Sequence, residues 1–191
     1  MNLITRKGYD FGEVSSAFQK CIRRGLENDA LYWAAELDKS GFGEYVWKRI
    51  RIITSEDIGI AAPYLPSTIR ALYENWSDLR KQKDAQRNPE RLFLIHAVIL
   101  LVRSKKSRMV DSAYLTFYNM DEKRPMPDFA LDKFTKRGRM KSRGWDHFFA
   151  EATLLGNPSD IPDPYLTLAM EAAKGVSPKT LFTDDEDERP E

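Results

Sequence analysis

Apolar residues recur every three or four positions through roughly the first 120 residues, the spacing of helices with one buried face. Phe11, Val14, Phe18, Cys21 and Ile22 share one face of a first helix, with Gly25 as its stop. Asn28 or Asp29 offers a cap for a second helix that carries Leu31, Ala34, Ala35 and Leu37 and ends near Ser40 and Gly41. A third presents Val46, Ile50 and Ile53, with Lys48, Arg49 and Arg51 on its other faces. Leu65, Ile69, Leu72, Trp76 and Leu79 form the most regular stripe, followed by a polar stretch over 80–87. Asn88, Pro89 and Glu90 predict a helix start with a capping side chain at Asn88. Residues 92–102 are apolar except for His96 and read as a helix buried on all sides, its histidine bonded inside the core. Val110, Ala113, Tyr114 and Phe117 mark one more helix.

Past Asn119 the pattern weakens. Residues 120–129 are polar with two prolines and read as a loop, and 133–143 are strongly basic. Trp145, Phe148, Phe149, Ala152 and Leu155 make a short amphipathic helix. A proline-containing connector leads to a last helix with Tyr165, Leu166, Ala169 and Ala173. Period-two alternation is missing, so the expected fold class is all-α, a bundle of antiparallel helical hairpins. The expected organisation is a helical domain over 1–159, a connector with a short helix over 160–183, and a disordered acidic tail over 184–191.

Composition narrows the chemistry. A chain of 191 residues with 42% hydrophobic residues can build a genuine core. Its single cysteine, Cys21, and two histidines exclude a disulfide framework and argue against a Cys- or His-based metal site, so no metal and no cofactor are expected. The start has no apolar signal region, and the longest apolar run is too short to span a bilayer, so a cytoplasmic protein without a membrane partner is expected. The net charge of +1 hides a division. Residues from Asp160 onward carry nine acids against three bases, a net of −6, while 1–159 carry 27 bases against 20 acids, a net of +7. Such a basic body suits a polyanionic partner.

Catalytic motifs are missing. Neither the phosphate-loop pattern nor the dinucleotide-binding glycine pattern occurs, so ATP binding and hydrolysis are not expected. Asp146 and His147 are adjacent and point apart on a helix, Cys21 reads as a small core residue, and Glu56 with Asp57 reads as pairing with Arg49 or Arg51. No catalytic residue is assigned. The strongest chemical feature is Lys133, Lys136, Arg137, Arg139, Lys141 and Arg143, six cations in eleven residues with Phe134 inside and Trp145 just beyond. Phosphate contact by these cations with a stacking aromatic is the recipe for binding DNA, single-stranded DNA in particular; the competing reading is a strip neutralised by acids. Lys105, Lys106 and Arg108 form a smaller candidate cluster. Trp33, Trp47 and Trp76 are too many large rings to bury cheaply in so short a chain, which makes them candidate anchors of an oligomer interface.

Four stretches resemble a known family. Tyr9-Asp10 with residues 16–23 (SAFQKCIR) is similar to the opening "YD…SAFxKSIRG" of the C-terminal region of the replication-associated recombination AAA+ ATPases, the MgsA/RarA family. Residues 29–35 (DALYWAA) resemble its "DAALYWLA". Arg49-Ile50-Arg51 with residues 55–61 (SEDIGIA) resemble "RRLxRxASEDIGLA". Lys105 to Arg108 with Ala113-Tyr114 match "PKSNxxY" more loosely. The resemblance covers residues 9–119 and ends before the basic segment. It implies a helical collar like that of clamp loaders, which holds ATPase subunits in a tetrameric ring and does not itself hydrolyse ATP. The expectation is a non-enzymatic assembly module, a dimer or tetramer beside a partner ATPase, acting in DNA replication, recombination or repair. The alternative is a stand-alone nucleic-acid-binding protein that works through 133–143.

Overall fold

The computed structural model describes residues 3–81 and 88–175 and divides into two compact units, Met1–Asp121 and Glu122–Glu191. Among the described residues the fold is all-α; the only β pairing is an isolated bridge between Ile4 and Asp10.

Among its described residues the first unit contains six α-helices: α1 (Phe11–Arg24), α2 (Glu27–Leu37), α3 (Gly43–Ile53), α4 (Leu65–Lys81), α5 (Arg91–Arg103) and α6 (Met109–Asn119). Asp10 caps α1 by accepting the Glu13 N–H, and Gly25 ends it in the left-handed conformation, as expected. The two-residue connection then folds α2 back onto α1. The cap expected at Asn28 or Asp29 is not used: α2 begins at Glu27, and its N-cap, Leu26, offers no side-chain bond. Asn88 does not cap α5 either. It sits at a φ of 44°, and residues 88–90 wind a tight turn whose carbonyls accept the first N–H groups of the helix.

The core is one cluster drawn from α1–α5, with Phe18, Ile22, Leu37, Ile50, Ile69, Leu94 and Leu101 buried. Two sequence expectations are corrected here. Trp47 and Trp76 are both fully buried inside the chain and cannot anchor an interface. They meet with centroids 5.8 Å apart where α3 packs on α4, with Tyr73 stacked on Trp76 and the Arg80 guanidinium over the Trp76 ring. Neither indole N–H finds an acceptor among the described residues, so apolar contact carries their burial. Second, α5 is not enclosed on all sides. It buries Leu94, Ala97, Val98, Leu101 and Val102, while His96 is exposed on the opposite side and Leu92 stays 72% exposed. A run of apolar letters shows that a helix is buried but not over how much of its circumference.

The second unit is built differently. Its described residues form a 3-10 turn (Asp128–Ala130), α7 (Lys136–Met140), α8 (Trp145–His147) running into a wider turn (Phe148–Ala152), and α9 (Leu166–Gly175). Leu131 and Ala173 are its buried apolar residues among those described. The rest of its cohesion comes from edge-on contacts among Phe134, Trp145, Phe148 and Phe149, and from ion pairs to Asp128. The acidic tail expected over 184–191 lies outside the described residues. No helix among the described residues is long and apolar enough to cross a membrane.

Candidate functional site

The acidic pair Glu56–Asp57 falls in a wide helical turn, Thr54–Ile58, that continues α3. Asp57 has no solvent exposure, and a buried carboxylate is costly unless its oxygens are bonded. Gln19 and Arg23, one turn apart on α1, supply the bonds. Arg23 Nε donates to Asp57 Oδ1 at 2.5 Å, its Nη2 reaches Asp57 Oδ2 at 3.3 Å and Glu56 Oε1 at 2.9 Å, and Gln19 Nε2 donates to Asp57 Oδ2 at 3.1 Å. The bonds to Asp57 push the Arg23 pKa above its ordinary value. Arg49 joins only indirectly, by donating to Gln19 Oε1. The partner of the acidic pair is therefore Arg23, not Arg49 or Arg51 as the sequence suggested. Proximity in sequence misled: Arg49 spends its bond on Gln19, and Arg51 lies over the Tyr73 ring.

This network seats α6. The Asp57 carbonyl accepts the Ser107 N–H at 2.9 Å, just ahead of the helix. Gly59 has a φ of 48° and ψ of −126°, and a Cβ there would lie 2.8 Å from Val110 Cγ2. Glycine is required on both counts, strain and close approach. Arg108 pairs with Asp111 and lies 4.0 Å from the Asp57 carboxylate. Lys106 Nζ donates to the carbonyls of Leu101, Val102 and Ser104 at 2.6–2.8 Å and so closes the C-terminus of α5; burial pushes its pKa down. Of the smaller basic cluster, Lys106 and Arg108 are thus tied into the fold. Lys105 is exposed and forms no hydrogen bond or ion pair among the described residues.

Once seated, α6 buries none of its side chains fully. Met109 is 63% exposed, Tyr114 57%, Leu115 52% and Tyr118 80%, and Tyr114 and Tyr118 lie side by side with centroids 4.8 Å apart. An open, mostly apolar groove of about 480 Å³ runs between α3 and α6, floored by Ile52, Val110 and Tyr114. The sequence stripe foretold the helix but not that its apolar residues would face outward. Trp33, the remaining tryptophan candidate, is half-buried with Tyr9 and Tyr32 edge-on to its ring.

In the second unit the six strip cations have distinct settings. Arg143 is held hardest: its Nη1 donates to the carbonyls of Asp128 and Leu131 at 2.6 and 2.7 Å, and its Nη2 pairs with the Asp128 carboxylate. Lys141 takes the other Asp128 oxygen at 2.7 Å, and together they hold that carboxyl at a pKa of about 2. Arg139 Nη1 donates to the Phe134 carbonyl at 3.0 Å. Lys133 Nζ lies 3.2 Å from the Trp145 ring centroid, and burial pushes its pKa down. Lys136 and Arg137 are exposed, with no hydrogen bond or ion pair among the described residues. Helix α7 is pinned by Thr135, which caps it, and by Gly138, where a Cβ would fall 1.6 Å from the Asp132 carbonyl oxygen. Trp145 is stacked on Phe149 and covered by Lys133, so its ring is engaged in packing. No pattern in the sequence singles out Asp128 as the anchor of this unit.

Among the described residues no group of three or more His, Cys, Asp or Glu could hold a metal ion. Cys21 is a free, half-buried thiol whose pKa burial pushes up.

Comparison with known proteins gives the geometry a context. The profile of the family described as MgsA AAA+ ATPase C terminal matches residues 26–146. The chain is 38% identical over 99 residues to Replication-associated recombination protein A of Bacillus subtilis (strain 168), across 50% of this chain and 21% of that protein. The chain therefore spans about a fifth of the length of that relative. The profile match takes in Asp57, α6 and the whole basic segment, so the likeness does not stop at Asn119 as the sequence motifs suggested.

Proposed function

The chain belongs to the MgsA AAA+ ATPase C-terminal family, and from that premise we propose that it is a non-enzymatic helical assembly module that joins copies of itself through α6. It works beside an ATPase in replication-associated recombination of DNA. The observation that carries this reading is the contrast within α6. A buried charged network fixes the helix in place, yet its tyrosines and its Met109 and Leu115 side chains face solvent. Among the described residues, the first unit does not bury this face. Contiguous apolar surface rich in tyrosine is the composition of protein interfaces, and a rigid presentation lowers the ordering cost of association. The chain's kinship with the C-terminal part of an AAA+ ATPase supports an accessory role, and a sequence without the phosphate-loop pattern supports the non-enzymatic part of the reading. The partner copy would cover α6 and the groove beside it.

Light scattering tests this. The purified chain is expected at a multiple of 22.1 kDa. Replacing Tyr114 and Leu115 by Glu is expected to return it to the monomer mass with its helical signal intact. A wild-type monomer at the highest soluble concentration, or an oligomer indifferent to both substitutions, refutes the assignment.

A further inference from the structure

Beyond assembly, the second unit contains a concave basic site that its linear strip does not describe. A cavity of about 390 Å³ is lined by Lys133, Arg139, Arg143 and Lys174, with Ser142 and Trp145. Four cations face it, and among the described residues no acid lines it. Two of them come from the basic segment's middle and end, one from its start, and Lys174 from α9, 31 residues beyond Arg143. Two acids of this unit are engaged with other groups: Asp128 takes Arg143 and Lys141, and Asp132 accepts the Phe134 N–H, although its charge still acts on Lys133.

The cations divide by role. Arg143 is a wall, fixed by two carbonyls and a carboxylate. Arg139 is held through one Nη only, which leaves the remaining guanidinium donors to face a ligand. Lys133 is steadied over the Trp145 ring without a hydrogen-bond acceptor, and Lys174 forms no bond among the described residues. Lys133 also carries its charge at a cost, since burial lowers its pKa; an incoming anion would relieve it. Lys141, Lys136 and Arg137, half of the strip, lie outside this lining.

We propose that this cavity binds the phosphate groups of a single-stranded nucleic acid, with Arg139, Lys133 and Lys174 as the contacting cations. Arginine forks and ammonium groups around one concavity suit a phosphate ester, and the volume exceeds what a lone inorganic anion needs. A stacking contribution from Trp145 is not part of the site, because Phe149 and Lys133 already occupy its ring. Recognition is therefore by charge, indifferent to base identity, and salt-sensitive. The reading does not depend on α6 or on the oligomeric state.

The test compares two double variants of equal charge in the full chain, with a fluorescent oligothymidylate as the probe. Arg139→Ala with Lys174→Ala is expected to weaken binding by about tenfold or more and to lower the slope of log affinity against log salt by about 1.4, two single-strand contacts. Lys136→Ala with Arg137→Ala removes the same charge from outside the cavity and is expected to lose about threefold or less. Equal losses for both pairs, or the larger loss for the second, would overturn the site. Millimolar inorganic phosphate added to the wild-type chain should shift the Trp145 indole N–H resonance, a readout independent of any variant's folding; no shift also overturns it. A competitor strand with a 5′-phosphate, matched against one without, assigns the source. Equal competition places backbone phosphates in the cavity, and stronger competition by the phosphorylated strand places the strand end there.

Discussion

The two units of this chain are held together by different forces. The first buries Phe18, Trp47, Trp76 and a shell of Ile, Leu and Val, and ties its fully buried carboxylate, Asp57, to Arg23 and Gln19. The second buries only Leu131 and Ala173 among its described apolar residues, and leans on Asp128 ion pairs and aromatic edges. Hydrophobic burial neither titrates nor is weakened by charge screening, while exposed ion pairs are screened by salt and titrated by acid. The first unit can therefore hold α6 rigidly. The second can present charge without much stability of its own.

The harshest trial of this contrast is Trp76→Ala. Truncating a fully buried tryptophan should cost about 3–5 kcal/mol, read by denaturant unfolding of the main transition. The aromatic contacts of the second unit should survive it. Were Trp76 an interface anchor, the same substitution would lower the solution mass and leave the unfolding midpoint of the monomer nearly unchanged.

Two changes at the seat of α6 come next. Asp57→Ala removes the acceptor of Arg23 and Gln19 and should cost about 2–4 kcal/mol, below the full penalty of a broken buried pair because Arg23 can still turn toward water. Gly59→Ala sets a Cβ against Val110 at a combination of φ 48° and ψ −126° that favours glycine, and should cost about 1–3 kcal/mol. Both should speed hydrogen exchange across α6 before they affect α1. Uniform acceleration across the first unit would mean that the network supports the core rather than the helix.

What the sequence disclosed follows the range of the interactions involved. The stripes over α1, α3 and α4 were legible because helical period is local and each stripe buries one face. The class of fold followed directly. The Asp57 clamp was not legible, since Arg23 and Asp57 are 34 positions apart and the sequence offers nearer arginines that point elsewhere. The same holds for the tryptophans. Their letters record size and apolarity, but whether a ring faces the core or a partner depends on how α3 crosses α4. In the basic segment the charges were plain, while their division into wall, cavity and outer strip rests on Asp128 and on Lys174 arriving from α9.

Acid should part the two units. The Asp128 carboxyl titrates at about 2 rather than the ordinary 3.8, because Lys141 and Arg143 bond its ionised form. A depressed acid favours the folded state wherever it is ionised, so its contribution is complete above pH 3.8 and is lost as pH falls toward 2. The Trp145 resonances should therefore broaden or shift in that window. Asp128→Asn should abolish the pH dependence, and raised salt at neutral pH should loosen the wild-type pairs in the same direction. A second unit that is insensitive to both acid and salt would show that its aromatic edges suffice alone.

The smallest effect is expected at Ser142, which holds a φ of 54° where α7 turns toward Trp145. A non-glycine residue in the left-handed region is strained, and Ser142→Gly relieves that strain, though glycine also gains freedom in the unfolded chain. The two contributions oppose each other, leaving a net stabilisation of about 0.5 kcal/mol or less. The turn's backbone bonds do not involve the serine side chain: Ser142 N–H donates to the Arg139 carbonyl, and Arg143 N–H to that of Gly138. The variant should therefore keep the cavity's shape, and thermal melting of the second unit should rise slightly with oligothymidylate affinity unchanged. If affinity falls while the melt rises, the Ser142 hydroxyl is itself a phosphate ligand, and the cavity is more specific than its charges alone require.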